Sequence, residues 1–260
     1  MIISPDNPKL KELRRLAKRR DRDKLGLFAA EGEDLVMAAA DAGYIARAVF
    51  VPGSEPTSMP ESLRPIPVDD ELLASSVQLA SSTRAVGVYK QRWLESDEIA
   101  ALTGITVCLW GVGDPGNVGT IIRSGDAFAA DAVVLGPQSA DPFSPKAVRA
   151  SMGAIFSTPV GRVREISQLP GITVALVAEH GEPLHEAMPR LVSQGGPITL
   201  VVGAEREGLP GTVARQCAVR VTIPMARDSV NAAMAATIAL YETARASAPG
   251  GHAPTKVPAS

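Results

Sequence analysis

The chain is short of the residues that build disulfide frameworks and metal clusters. Its two cysteines, Cys108 and Cys217, each stand inside an apolar stretch, so neither a disulfide framework nor a thiolate site is expected. The three histidines, His180, His185 and His252, have no neighbours at metal-ligand spacing, and no metal is expected. Aromatic residues are few, whereas alanine, glycine and proline are plentiful. No apolar run approaches the roughly 18 residues needed to span a bilayer. The N-terminus lacks the hydrophobic core of a signal peptide. These absences lead to the expectation of a cytoplasmic protein with no membrane partner. A large net charge is missing too: 26 Lys/Arg stand against 28 Asp/Glu, which says nothing about partners until the charge is divided along the chain.

Divided that way, the charge is uneven. Residues 9–24 (KLKELRRLAKRRDRDK) carry an excess of positive charge, and Leu10, Leu13 and Leu16 fall at helical spacing. Such a helix packs one side and shows the other. Contact with a phosphate backbone and a merely solvated face are both open on this stretch alone. Beyond it, Glu33–Ala42 reads as a helix, and Ala48–Val51, Arg64–Val68 and Val86–Tyr89 read as extended. The alternation implies a small α/β sandwich over about the first 90 residues. Residues 94–103 are acidic, run into Thr103-Gly104 and read as a linker.

From Ile105 the apolar runs strengthen. Ile105–Trp110, Ala132–Leu135, Ile172–Ala178 and Ile198–Val202 are short buried-type strands separated by helical segments, which argues for a parallel sheet covered on both faces. Gly111-Val-Gly-Asp-Pro-Gly116 matches GxGxxG after a strand, yet the acidic residue that should end the next strand and hold a ribose is replaced by Leu135-Gly-Pro137. The glycines are as well explained by a tight turn, leaving a dinucleotide oxidoreductase a weak rival.

Local stretches beyond those glycines carry polar residues in unusual places. Asn117 caps or opens a helix running to Ala129, and Arg123 sits among Ile121, Ile122 and Phe128. Two readings stand for Arg123: a structural salt bridge, or a planar donor fork for a phosphate. Val201–Leu209 is a strand running into Gly203, Glu205 and a turn. Pro224 stops a run from Arg220 to Ile223, Asp228 and Ser229 are helix-capping types, and an alanine-rich helix follows from Val230. Asn231 is then an amide in the first turn of an apolar helix.

In this order and at this spacing, these stretches resemble the SpoU (TrmH-like) branch of the SPOUT RNA methyltransferases. The motifs are Asn117-Val-Gly119-Thr-Ile-Ile-Arg123, Val201-Val-Gly203-Ala-Glu205 through Gly208-Leu209, and Ile223-Pro-Met225 through Ser229-Val230-Asn231. Val148–Ala154 is a further family-like segment, and Val230 stands where the family usually has leucine. The resemblance implies transfer of a methyl group from S-adenosylmethionine to a ribose 2′-hydroxyl of RNA. By analogy the RNA is 23S rRNA rather than tRNA, the alternatives being a tRNA methyltransferase or a non-catalytic RNA-binding protein on the same scaffold. It also implies an α/β SPOUT-type parallel sheet with a deep trefoil knot, and a homodimer. Carried over by position, Asn117, Arg123, Glu205, Ser229 and Asn231 surround the methyl-transfer centre, and Gly203, Ile223, Met225 and Val230 hold the cofactor. Phe28–Gly32 resembles part of a ribosomal-protein-like RNA-binding domain, which makes Lys18, Arg19 and Arg20 candidate RNA contacts. The expected organisation is an RNA-binding domain at 1–93, a linker at 94–103, the methyltransferase domain at 104–248 and a disordered tail at 249–260.

Overall fold

The computed structural model describes residues 1–54, 59–78, 84–226 and 230–248. They form two compact units, one of Met1–Arg92 with Asp141–Ser157, the other of Trp93–Ala140 with the chain from Thr158 onward.

In the first unit, α1 (Pro8–Arg15) begins at Asn7, whose side chain accepts the Lys9 N–H, with proline in the first turn. Leu10, Leu13 and Leu16 are buried as their spacing requires. The basic stretch 9–24 is nevertheless two helices, because the chain breaks after Arg15 and resumes as α2 (Arg19–Leu25). Arg22 explains the break. Its guanidinium turns inward and donates to the carbonyls of Leu16 at 2.7 Å and Ala17 at 3.0 Å, at the end of α1 where carbonyls lack helical partners. It also donates to Asp141 Oδ2 at 2.6 and 3.0 Å. Lys18, Arg19 and Arg20 are exposed, with Arg19 lying 3.7 Å from Asp23.

The chain continues through β1 (Leu27–Glu31), α3 (Glu33–Asp41), β2 (Ala48–Pro52), β3 (Ile66–Val68), α4 (Asp70–Ala74) and β4 (Val86–Lys90). The sheet order is β1-β4-β2-β3, with β4 antiparallel to β1 and β2, and β2 parallel to β3. Alternation along β2 sends Val49 and Val51 to one face with Val36, and Phe50 to the other with Leu10, Leu13 and Leu73.

The second unit starts at Trp93, so the stretch read as a linker lies inside it. Its acidic residues belong to α5 (Ser96–Ala100), where Glu95 and Glu98 form a reciprocal capping box and Ile99 is buried in the unit's core. Next come β5 (Ile105–Leu109), α6 (Pro115–Ala127) and β6 (Ala132–Leu135). The helix α7 (Pro145–Ala150), within the family-like segment's surroundings, belongs to the first unit. The chain then gives β7 (Val160–Arg162), β8 (Ile172–Leu176), β9 (Glu182–Pro183), α8 (Leu184–Ser193), β10 (Ile198–Val202), α9 (Gly211–Ala214), β11 (Val219–Thr222) and α10 (Ala232–Ser247).

Seven strands make one sheet in the order β7-β6-β5-β10-β8-β11-β9, and every pairing is parallel. The parallel sheet expected from the apolar runs is thus present. Because β10 lies between β5 and β8, the loops leaving β5, β10, β8 and β11 emerge side by side at the carboxyl ends of the strands, where ligands sit in sheets of this class. The helix α10 packs against α6, α8 and β10. Among the described residues no helix is long and apolar enough to cross a membrane.

Candidate functional site

The site is assembled from helix starts and strand ends. At α6 the N-cap is Asp114 rather than Asn117: its Oδ1 accepts from the N–H groups of Gly116 at 2.6 Å and Asn117 at 3.2 Å. This settles the GxGxxG match. The N–H groups that would receive a pyrophosphate are already bonded to a carboxylate, and Gly111, at φ 74°, makes the turn after β5. Asn117 is left in the first turn of α6 with its side chain free to point sideways.

At α10 the correction runs the other way. The helix begins at Ala232, and Asn231 is itself the N-cap, its Oδ1 accepting from Ala233 N–H at 2.8 Å. Asp228 and Ser229, read as the cap, lie outside the described residues.

Between these two helix starts runs a directional chain of hydrogen bonds. Asn231 Nδ2 donates to Asn117 Oδ1 at 3.1 Å, and Asn117 Nδ2 donates to Glu205 Oε1 at 2.6 Å. The order is forced from both ends. A carboxylate only accepts, so Asn117 faces it with NH₂, and a backbone N–H only donates, so Asn231 faces it with its carbonyl. Side chains from three distant segments are thereby locked to one another.

Glu205 stands in a tight loop closed by reciprocal bonds between Ala204 and Gly208, N–H to carbonyl at 3.2 and 3.0 Å. The loop folds back so closely that a Cβ on Gly203 would run into the backbone of Gly208 and Leu209. Only glycine fits there, and the closed loop forms one wall of a cavity of about 340 Å³. The cavity is lined by apolar Leu176, Leu209, Ile223 and Val230, with the carboxylates of Glu179, Glu205 and Glu207 among its polar groups. Met225 also lines it and is 39% exposed. Gly203, Ile223, Met225 and Val230, four residues singled out in the sequence, are therefore together. The β8 loop through Glu179 was not singled out; the sequence does not order the strands, and only the place of β8 beside β10 brings that loop to the cavity.

Arg123 stands apart. It is exposed on α6, does not line the cavity, and makes no hydrogen bond or ion pair with any described residue. Six residues of helix separate it from Asn117 by about 9 Å along the axis and about 120° around it. The salt-bridge reading thus finds no partner. No group of three or more His, Cys, Asp or Glu among the described residues is placed to hold a metal ion.

Residues 104–241 match the model of the SpoU rRNA Methylase family, which is more than half of the chain. The chain belongs to the SpoU rRNA methylase family. Residues 7–85 match the MRM3-like substrate binding domain. Among curated relatives, this SpoU protein is 27% identical over 245 residues to the 23S rRNA (guanosine(2553)-2'-O)-methyltransferase RlmP of Bacillus subtilis, covering 92% of this chain and 97% of that one. Among solved structures, an AdoMet-bound rRNA methyltransferase from Sinorhizobium meliloti superposes with a TM-score of 0.82 at 30% identity, covering 94% of this chain and 96% of that one. The SpoU methyltransferase AviRb from Streptomyces viridochromogenes, in complex with AdoMet, gives 0.78 at 27% identity, covering 92% and 97%.

The SpoU chain is accordingly a methyltransferase with S-adenosylmethionine as methyl donor, and the cavity suits that cofactor. Its volume falls within the roughly 300–1,000 Å³ of small-molecule sites. Apolar walls and loop backbone suit an adenosine, and the carboxylates suit a sulfonium cation.

Proposed function

We propose that this SpoU methyltransferase places a methyl group on a ribose 2′-hydroxyl of 23S ribosomal RNA. The observation that carries the reading is the Asn231–Asn117–Glu205 chain, which ties the starts of two helices to the loop that walls the cofactor cavity. S-adenosylmethionine, when bound there by Gly203, Ile223, Met225 and Val230, supplies an electrophilic methyl. The protein's task is alignment, since displacement at that carbon requires the 2′-oxygen directly behind it. Glu205 and the two amides fix the loop geometry against which a ribose is placed. Ser229, whose position in the sequence lies just before Val230, belongs to the same proposed centre.

Arg123 holds the RNA phosphate and stabilises charge developing on the 2′-oxygen. A guanidinium only donates and is a poor general base, so water is left to take the proton. Since Arg123 does not line its own chain's cavity, the site is completed by a second copy. The exposed apolar stripe Met234, Ile238 and Tyr241 on α10 supports such a homodimer. The reading extends to a C-terminal trefoil knot at 104–248, an RNA-binding domain at 1–93 that uses Lys18, Arg19 and Arg20, and a cytoplasmic location with the ribosomal RNA.

The deciding experiment maps ribose methylation across rRNA and tRNA in cells with and without the gene. Loss of one 23S methylation is expected; loss of a tRNA methylation alone would overturn the substrate assignment.

A further inference from the structure

One end of the first unit's sheet carries features that the methyl-transfer site does not use. The turn after α3 opens at Gly43, with φ 72°, and delivers Tyr44, Ile45 and Arg47 in succession before β2 starts at Ala48. Ala48 pairs with Val88 on β4, so the end of β4 and the following Arg92 lie at the same edge. Arg92 is exposed and lies over the Tyr44 ring, 3.9 Å from its centroid. The ring beneath is braced edge-on by Tyr89 and Phe156. Arg92 makes no salt bridge with any described residue, so one face of its guanidinium is stacked and the other meets solvent.

Beside this stack, Ile45 is 90% exposed, an unusual place for a large aliphatic side chain. Two residues on, Arg47 is held by Glu12 through two bonds, at 2.8 and 3.1 Å. Bidentate pairing occupies the edge of a guanidinium and leaves its faces open. Below Arg47 lies a cavity of about 190 Å³, floored by Ala48, Phe50 and Val88 and rimmed by Lys9, Glu12 and Arg47.

A flat cation on a rigid aromatic, an exposed aliphatic and an apolar slot with a charged rim match the needs of one ligand class. Unpaired nucleobases stack on arginine planes and aromatic rings, and offer their polar edges to donors and acceptors. A duplex, whose bases are already stacked, has no use for these features. We propose that the turn Gly43–Ala48 binds unpaired nucleotides of the substrate RNA, one base stacked on Arg92 and another seated in the slot beside Arg47. This rests on the reading of the chain as an RNA methyltransferase, and adds to it that the recognised RNA is single-stranded.

The test measures binding of full-length protein to a short unstructured RNA oligonucleotide, and to the same strand annealed to its complement. Arg92→Lys keeps the charge and removes the plane, so single-strand affinity is expected to fall by about tenfold, with the salt dependence and duplex binding unchanged. Ala48→Leu fills the slot and is expected to act the same way. Ile45→Ser, at a side chain outside the core, guards against misfolding and is expected to weaken the single strand too. Wild-type affinity in all three variants overturns the proposal, as does an equal loss for duplex RNA. A wild-type protein that takes up S-adenosylmethionine but binds neither RNA overturns the RNA reading itself.

Discussion

Asn117 presents its NH₂ to Glu205 Oε1 at 2.6 Å, and nothing but a donor is tolerated at that position. Asn117→Asp keeps the shape and sets a second carboxylate against the first. Two carboxylates this close share a proton, so the pair binds a proton more tightly folded than unfolded. A carboxyl raised on folding contributes stability below its unfolded pKa and loses it as pH rises through the folded value. The deficit of this variant against wild type is therefore expected to be small near pH 5 and to reach about 1–3 kcal/mol near pH 8. Thermal melts of both proteins at the two pH values check this; a deficit independent of pH refutes the contact.

Arg123 gives the second prediction, because an exposed guanidinium with no described partner has no structural role to lose. Arg123→Ala is expected to lower single-turnover methylation by at least about 100-fold, the scale of removing one electrostatic stabiliser. S-adenosylmethionine binding, read by calorimetry, and the melting temperature should stay at wild-type values. Near-normal turnover would remove Arg123 from the reaction.

How much of this was legible beforehand depended on whether the decisive neighbour was local. The strands of the large sheet stood out as apolar runs, and Gly203, Ile223 and Val230, which the family resemblance grouped, line one cavity. Their order across the sheet was not legible, so the Glu179 loop of β8 was missed at the cavity. Caps were misplaced by a few residues, since Asp114, Asn117, Asp228, Ser229 and Asn231 are all capping types and only geometry selects among them. Counting charges over 9–24 failed for a non-local reason. Arg22 looks like surface charge until Asp141, 119 residues away, draws it inside. The acidic run at 94–103 looked like a solvated linker because Glu95 and Glu98 were read as charge, when they cap a helix whose Ile99 is core.

That buried pair supports a third prediction. Arg22 and Asp141 are 4% and 5% exposed at the side chain, so removing one leaves the other charged and dry. Arg22→Met is expected to cost about 3–5 kcal/mol, and Arg22→Met with Asp141→Leu distinctly less. Urea unfolding of both variants reads the difference. A double variant as unstable as the single one would show that the carbonyl bonds to Leu16 and Ala17, and not the ion pair, hold α1 and α2 in place.

Thr106 supports a prediction of opposite sign. It shares a row with Thr199 and Thr173 across β5, β10 and β8. Thr199 donates to the carbonyl of Pro170 at 2.7 Å, and Thr173 accepts from Ala218 N–H at 3.0 Å. Thr106 Oγ1 is buried and finds no partner among the described residues. An unsatisfied buried hydroxyl costs free energy, and valine has the same shape and suits a strand at least as well. Thr106→Val is therefore expected to stabilise by about 1 kcal/mol, whereas Thr199→Val, which orphans the Pro170 carbonyl, should destabilise by about as much. Both residues lie toward the amino ends of their strands, away from the loops that wall the cavity, so methylation rates should not change. Urea midpoints that move the same way for both variants would show that the row is uniformly satisfied and that Thr106 stores no penalty.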